Sequence, residues 1–406
     1  MIDNKTIYHI VTTNGENYNS VYLNWHSELH NSYVLLKKSR DLNFKKIKPT
    51  SSIYWDTRNT INANDDDSFY TNSRYVCYLH LHNLCDNTIY EYKIVNDHEE
   101  SEIYSFKITD NKTLKFLAFC DFQHPQNTNT HNLMMKLSSL CPDANFMVCS
   151  GDLTGTGANE SEWSWLLDNS INPFKNIIFS SSVGDHEYWG KDVGRGIPMM
   201  DKPDTFNNIF RNPQNGHVNY LNSTYCFIKS RVLFIFLNMG DSNTTSGTIF
   251  DDQITWFYNT ISCLKGKFDF LIIVEHKSLY GSTLIDTGVS KYIKPLWIKV
   301  FDDTNVDLVI SGHDHLYSRS KQLYHDEVSN ESSKGTFYLD LGSSGNKRRN
   351  LDGTTDNILH ECIIDINGLN IALGAICELE NESLSVKVYD EEGIQKDEFK
   401  INKKYY

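Results

Sequence analysis

Positive charge, paired cysteines and long apolar runs are all scarce in this sequence of 406 residues. Lys and Arg number 38 against 52 Asp and Glu, which leaves a formal net charge of −14. A chain of that sign has no general electrostatic attraction for nucleic acid or for an anionic membrane, so neither is an expected partner. Any anion-binding site must therefore draw positive charge from a bound metal ion or from a local cluster of basic residues.

The sequence also lacks the features of a membrane span and of a secretory leader. No apolar stretch reaches the ~18 residues that a membrane-spanning helix needs. The segment Met1 to Tyr8 is polar and has neither a basic nor an apolar leader region. Membrane insertion is therefore not expected. A cytoplasmic location is the default expectation, and secretion stays an open alternative.

The nine cysteines form no Cys-x-x-Cys pair of the kind that binds zinc, and their number is odd. Cys77, Cys120, Cys149 and Cys377 stand inside apolar runs. This pattern predicts small buried side chains rather than a disulfide framework.

The chain divides near residue 110 into two parts of different pattern. Short segments rich in Tyr, Val and Ile, separated by turn-formers such as Asn14-Gly15, fill residues 1–110. Their spacing predicts an all-β sandwich domain. Residues 111–406 alternate apolar strands with amphipathic helices, which predicts an α/β domain with much parallel pairing. The predicted strands of this second domain are Leu114–Cys120, Asn145–Ser150, Asn176–Ser181, Leu233–Leu237, Phe268–Val274, Val306–Ile310 and Thr336–Leu341.

Acidic and imidazole side chains follow five of these strands at the point where each strand ends. The segments are Asp121-Phe122-Gln123-His124, Gly151-Asp152, Gly184-Asp185-His186-Glu187, Glu275-His276 and Gly312-His313-Asp314-His315. Because the carboxyl ends of strands line the usual ligand crevice of an α/β sheet, we expect these groups to meet. Carboxylates gathered with no Lys or Arg among them repel one another unless a cation is bound. Mixed Asp and His ligation suits zinc, manganese or iron.

The Gly-His-x-His spacing adds to this expectation. On an extended segment His313 and His315 fall on the same face, where each can reach a different metal of a pair ~3.5–4 Å apart. Taken singly, each motif has a simpler interpretation, since a lone Gly-Asp is more often a turn and a lone His such as His276 is more often structural. Five strand ends that carry such residues in this order make coincidence the weaker explanation.

The ordered set of motifs resembles the calcineurin-like metallophosphoesterase superfamily and, within it, the purple acid phosphatase branch. The resemblance runs from about Leu114 to the end of the chain, and the segment Leu84 to Tyr92 is similar to the N-terminal domain of that branch. It implies an α/β fold of two mixed sheets flanked by helices. An all-β, fibronectin-III-like sandwich domain would precede this fold.

The resemblance also implies a role for each motif residue. Asp152 would bridge two metals, Asp121 and His315 would hold the first, and Asp185, His276 and His313 would hold the second. His186 would lie beside the phosphate as a catalytic acid or transition-state stabiliser. By the same analogy His217 would contact the substrate. Tyr188 and Arg195 lie in the glycine-containing segment after His186, which is expected to form a wall of the site, and they are candidate substrate-binding residues; the alternative for Arg195 is an ordinary solvated loop residue.

Three positions depart from the pattern of the branch. Gly155 stands where the branch has a tyrosine whose phenolate stabilises ferric iron, so a purple ferric centre is not expected. Gln123 stands where many members have histidine, and either its amide oxygen or the neighbouring His124 would complete the first metal. Asp185 replaces the usual asparagine. Two divalent ions, of zinc, manganese or iron, are therefore expected.

The implied function is hydrolysis of phosphate monoesters by a metal-activated hydroxide, as in an acid phosphatase, with a small-molecule phosphate ester as substrate. Two alternatives stay open. One is a phosphodiesterase or nucleotide hydrolase that uses the same site. The other is a catalytically decayed scaffold or binding protein, which the changes at Gly155 and Gln123 motivate. The sequence leaves the oligomeric state open.

Overall fold

A computed structural model describes residues 5–56, 73–123, 129–168, 173–190, 202–240, 248–281, 289–331, 333–351 and 358–404, with the backbone alone at 248–250 and 290–291. Within these ranges most strands belong to two large sheets and one smaller one.

The first sheet has ten strands and runs through both halves of the chain. In order across the sheet they are β23 (Gln395–Asn402), β22 (Ser383–Asp390), β21 (Leu373–Glu380), β9 (Leu114–Phe119), β10 (Phe146–Cys149), β11 (Ile178–Ser181), β1 (Ile7–Asn14), β2 (Val21–Ser27), β6 (Arg74–Leu81) and β5 (Ser51–Trp55). Strands β9, β10 and β11 are parallel. Strand β1 joins β11 in parallel, with Thr13 opposite Phe179, so the N-terminal strands continue the same sheet.

The second sheet has seven strands, of which the central ones are also parallel. In order they are β12 (Tyr225–Lys229), β13 (Val232–Phe236), β14 (Phe270–Lys277), β15 (Leu308–Gly312), β19 (Phe337–Asp340), β16 (Tyr317–Ser320) and β20 (His360–Ile364). A four-stranded N-terminal sheet and a short hairpin complete the described strands. They are β4 (Lys45–Ile47), β3 (Ser32–Lys38), β7 (Thr88–Asn96) and β8 (Tyr104–Ile108), and β17 (Leu323–Tyr324) with β18 (Glu327–Val328).

Helices cover the outer faces of the two large sheets. The α-helices of the described ranges are α1 (Asn129–Leu140), α2 (Glu160–Asp168), α3 (Asp204–Ile209), α4 (Thr248–Leu264), α5 (Lys294–Thr304) and α6 (Ile366–Leu369). Helices α1, α2 and α3 share a buried core with the first sheet, and α4 and α5 share another with the second sheet. The largest core lies between the two sheets and extends into the N-terminal strands.

Strand β9 illustrates why the sheets are covered on both sides. Phe116 and Ala118 belong to the core between the sheets, whereas Leu117 and Phe119 belong to the helical core. Successive side chains of a strand point to opposite faces, so a strand that is apolar at every position must be buried on both. Each fully buried Phe or Leu contributes about 1.5–3 kcal/mol.

The predicted fold class is confirmed, because mixed sheets flanked by helices follow an all-β N-terminal region. The fibronectin-III-like character of that region and the boundary near residue 110 stay predictions. The cysteine prediction is confirmed, since all nine are free and the four in apolar runs are buried. Among the described residues, no helix combines the length and the apolarity that crossing a bilayer requires.

Candidate active site

The strand-end residues of both large sheets converge on one buried rim. Two groups of side chains offer ligand atoms that lie within 4.8 Å of one another. We call Asp121, Asp152 and His315 the first cluster, and Asp185, His276 and His313 the second cluster. All six residues are buried. The convergence expected from the strand ends therefore occurs.

Asp152 belongs to the first cluster but also faces the second. Its Oδ2 lies 3.2 Å from His276 Nε2, and the same nitrogen lies 3.0 Å from Asp185 Oδ1. In the first cluster, His315 Nε2 lies 3.7 Å from Asp121 Oδ1. Asp152 is thus positioned between the two sets of ligand atoms.

Unusual backbone geometry aims these side chains at the rim. Asp121, Asp152, His313 and His315 have φ angles of 48°, 55°, 74° and 54°. Left-handed conformations of non-glycine residues cost about 1–3 kcal/mol each and cluster at functional sites. Two glycines leave room for the carboxylates, because a Cβ on Gly184 or on Gly312 would collide with Asp152 or Asp121, respectively. Backbone strain is therefore located at the four residues whose side chains face the rim.

Glu187 holds the turn that carries Asp152. Its carboxylate accepts backbone N–H bonds from Asp152 (2.9 Å), Leu153 (2.8 Å) and Gly184 (2.8 Å). The sequence analysis quoted this residue within its motif but gave it no role. The sequence feature that could have indicated its role is its position directly after His186, in the segment that follows β11.

The ring of His276 has a fixed orientation. Its Nδ1–H donates to the Ser150 carbonyl at 2.9 Å, which directs Nε2 into the second cluster, as is usual for metal-ligating histidines. Burial opposes protonation, yet Asp152 and Asp185 raise the pKa of His276 well above its usual value. A metal ion must displace the Nε2 proton before this nitrogen can act as a ligand.

The carboxylates of the rim are crowded. Burial, with the charge of Asp152 adding to it, raises the pKa of Asp121 to about 6 against the opposing effect of His276. Burial also opposes ionisation of Asp152, but His276 and His186 hold its pKa well below the usual range. The ionisation of each carboxylate thus depends on nearby positive charge.

Two orphaned atoms indicate that the first cluster suits a cation. His315 Nδ1 and Gln123 Oε1 are buried and have no hydrogen-bond partner. Such atoms are costly unless a ligand satisfies them. Burial, together with Lys347, lowers the pKa of His315 far enough to keep the imidazole neutral, as a metal ligand must be. The Gln123 amide nitrogen donates to Asp152 Oδ2, so Gln123 lies beside the cluster.

His186 is locked in place next to Asp152. Its Nδ1–H donates to the Gly155 carbonyl at 2.7 Å, and its ring packs on Trp189 with centroids 3.5 Å apart. Its Nε2 lies 3.7 Å from Asp152 Oδ2 and 3.3 Å from Lys347 Nζ. Burial lowers the pKa of His186, against the carboxylates, so the neutral Nε2 accepts a hydrogen bond from Lys347.

A lysine lies among the carboxylates, and the expectation that no Lys or Arg would do so is wrong. Lys277 is fully buried, and its Nζ lies 3.2 Å from Asp185 Oδ1. The same Nζ lies 3.4 Å from both ring nitrogens of His313. Strand alternation predicts that neighbours such as His276 and Lys277 face opposite ways, but an irregular register between Val274 and Lys277 breaks that alternation.

A basic loop after β19 was also missed. It contains Lys347, Arg348 and Arg349 in succession, and the Arg349 N–H donates to the His315 carbonyl at 3.1 Å. Lys347 contacts His186. This loop brings the basic side chain of Lys347 to the rim, and an acidic chain needs such positive charge for anion binding. Three consecutive basic residues after a predicted strand were the available signal.

The other predicted substrate residues are Tyr188 and His217, which form hydrogen bonds to other residues, and Arg195, which lies outside the described ranges. The Tyr188 hydroxyl donates to Asn238 Oδ1 at 3.1 Å. His217 accepts the Asn219 N–H at 3.4 Å, and its Nδ1 lies 3.7 Å from Asp252. Arg195 and His124 are not among the described residues. The substrate-binding roles of Tyr188, His217 and Arg195 stay predictions.

Comparison with known sequences identifies the family of this chain. The calcineurin-like phosphoesterase family matches residues 114–317, just over half of the chain. The chain therefore belongs to the calcineurin-like phosphoesterase family. Two uncharacterized proteins from two strains of Mycobacterium tuberculosis are each 23% identical over 317 residues, which is 67% of this chain and 58% of each relative. The matched region thus spans less than two thirds of those relatives.

Solved structures confirm the fold of the whole chain. Purple acid phosphatase PPD1 from yellow lupin (Lupinus luteus) seeds matches 100% of this chain and 76% of its own, with a TM-score of 0.78 and 15% identity. A structure of PhoD matches 100% of this chain and 94% of its own, with a TM-score of 0.61 and 12% identity. The predicted likeness to the purple acid phosphatase branch is confirmed at the level of the fold.

Proposed function

We propose that this protein hydrolyses phosphate monoesters of small molecules, in the manner of an acid phosphatase, with divalent metal ions. One observation carries the proposal: two triads of buried Asp and His ligand atoms lie on one rim, and Asp152 lies between them. The fold of a purple acid phosphatase supports the choice of monoesters.

The two clusters supply the ligands. Asp121, Asp152 and His315 would hold the first ion, and Asp185, His276 and His313 would hold the second, with Asp152 close to both sets. Bound zinc, manganese or ferrous iron would supply Lewis acidity and a lowered water pKa. Gly155 has no phenolate to offer, and its carbonyl instead orients His186. A ferric centre is therefore not part of the proposal.

The chain's own side chains then position the ester and stabilise its charge. Lys347 and His186 form a hydrogen-bonded pair beside Asp152, within reach of an ester bound at the rim. Lys347 donates to a phosphate oxygen. His186, held rigid by Gly155 and Trp189, stabilises the developing negative charge in its protonated form, in which Nε2–H donates to the ester. Burial of the rim strengthens both interactions.

Paired dye esters test the proposal and its alternatives. With an aryl phosphate monoester and the matching bis-aryl diester, we expect kcat/KM to favour the monoester by about tenfold or more, a transition-state difference of ~1.4 kcal/mol. Chelation should abolish both reactions. A preference for the diester would favour the phosphodiesterase alternative. Metal binding without turnover of either ester would favour the decayed scaffold.

A further inference from the structure

Lys277 places an ammonium group where the second metal would bind. Its Nζ lies 3.2 Å from Asp185 Oδ1 and 3.4 Å from both ring nitrogens of His313. These two residues supply two of the three ligands of the second cluster. A divalent ion needs its ligand atoms at roughly 2.0–2.2 Å and cannot share that space with the ammonium.

The path of the Lys277 side chain follows from the strands around it. Lys277 is the last residue of β14, and its backbone pairs with Gly312 on β15. The irregular register before Lys277 lets both His276 and Lys277 reach the same oxygen of Asp185. The side chain is fully buried, so these groups, rather than bulk water, solvate its charge.

The balance of charge in the two clusters also favours Lys277 over a metal ion in the second cluster. Asp121 and Asp152 together neutralise one divalent ion in the first cluster, whereas the ion pair with Lys277 already neutralises Asp185. With the ammonium in place, a second divalent ion would add two uncompensated positive charges to a buried site.

We propose that Lys277 is a built-in competitor for the second metal. The first cluster therefore fills first, and the second accepts an ion only when Lys277 withdraws from Asp185 and His313. This inference rests on the proposed function, because it assumes that both clusters bind metal. It makes the availability of metal a regulator of the second site.

Metal titration of the stripped protein tests this directly, with Mn²⁺ as the probe. Calorimetry of the native chain should give one tight equivalent and a second that binds about 100-fold more weakly, because like charges in a buried site repel strongly. Lys277→Met keeps the length of the side chain and removes its charge. In this variant the two equivalents should bind with affinities within about tenfold of each other.

Electron paramagnetic resonance provides a readout that does not depend on activity. At two equivalents of Mn²⁺, Lys277→Met should give the exchange-coupled signal of a metal pair, and the native chain should give the signal of an isolated ion. Lys347→Met is the matched control, since it removes a positive charge beside His186 and not beside Asp185. It should leave the weak second equivalent unchanged. Circular dichroism verifies that each variant is folded, and Lys277→Gln replaces Lys277→Met if the latter fails to fold.

The outcomes separate this inference from the proposed function. Two tight equivalents in the native chain, unchanged in Lys277→Met, would overturn the role of Lys277 and leave the metal site standing. No Mn²⁺ binding by folded native protein would overturn both proposals. One tight equivalent in the native chain and two in Lys277→Met would support the role of Lys277 and the metal site on which the proposed function depends.

Discussion

Two buried polar clusters in this protein differ in how they balance charge. One lies between the N-terminal strands and α2, where His9 Nδ1 is 2.8 Å from Asp168, His9 Nε2 is 2.7 Å from Glu160 and Arg74 is 2.8 Å from Glu160. The His9 backbone N–H completes the set by donating to Asp168 Oδ1 at 2.7 Å. Every carboxylate oxygen of this cluster, which we call the His9 network, therefore accepts a hydrogen bond.

The rim of the active site is the opposite case. At the rim the pKa of Asp121 is raised and the pKa of Asp152 is lowered. In addition, His315 Nδ1 and Gln123 Oε1 are buried there without hydrogen-bond partners. The two clusters are built from the same residue types, so composition alone does not separate them. Buried carboxylates are stable when their oxygens are paired, as in the His9 network, whereas the rim gathers Asp and His ligand atoms into two triads that suit metal ions. The comparison assigns the His9 network to stability and the rim to function.

The largest effect should come from Asp152→Asn. The change keeps the shape of the side chain but removes the charge that faces both clusters, so turnover of an aryl phosphate should fall at least ~1000-fold, or about 4 kcal/mol. Initial rates and metal content measure it. Asp303→Asn, on the exposed face of α5, is the control and should retain full activity. Near-normal turnover in Asp152→Asn would remove the basis for a shared ligand.

His9→Gln should lower the stability of the fold and leave turnover unchanged. It removes the cation beside Asp168 and one of the two cations beside Glu160, both of which are partly buried, and the free energy of unfolding should fall by about 3 kcal/mol. Because every carboxylate oxygen of the His9 network is paired within that network, turnover per folded molecule should stay unchanged. Denaturant unfolding and rate measurements on the same sample give both numbers. A loss of turnover without a loss of stability would contradict the assignment of this network.

The pH dependence of stability is a second test of the His9 network. Although burial opposes protonation, Asp168 and Glu160 raise the pKa of His9 from 6.5 to about 9. Since the folded pKa is the higher one, the stabilisation is complete below about pH 6.5 and is lost as pH rises through about 9. The loss should approach ~3 kcal/mol in unfolding experiments across this window. His9→Gln should lack this component, and an equal slope in both proteins would contradict the pairing of a protonated His9 with Asp168 and Glu160.

Lys347→Met should have the smallest effect of the series. It removes one donor beside His186, so kcat/KM for the monoester should fall about tenfold, or ~1.4 kcal/mol, mainly through KM. Lys347→Arg keeps the charge and should recover part of the loss. Steady-state kinetics at constant ionic strength measure both variants. If Lys347→Met matched the native chain, the basic loop would have no part in binding the phosphate.

The fold and the ligand set were largely predictable because local signals fixed them. Leu114–Cys120 and Asn145–Ser150 were predicted as strands, and β9 and β10 end within one residue of those limits. An apolar run followed at once by Asp is readable from the sequence, since the strand end and the polar residue are adjacent. The order of five such ends then indicated the family.

Long-range and irregular features were not predictable. Lys277 reaches the rim because a register irregularity in β14 breaks strand alternation, which no local pattern reveals. Lys347 meets His186 across 161 residues of chain through a loop whose path depends on the second sheet. The pairing of β1 with β11 likewise joins distant segments. Each of these features depends on tertiary packing and not on local preference.

Metal dependence of turnover tests the central claim most directly. The native protein, purified without chelator, should contain at least one divalent ion per chain and hydrolyse an aryl phosphate. Chelation should remove both the metal and the activity, and Zn²⁺, Mn²⁺ or Fe²⁺ should restore them. Full turnover by a chain that contains no metal and is insensitive to chelator would contradict the assignment of the rim as a metal-dependent phosphoesterase site.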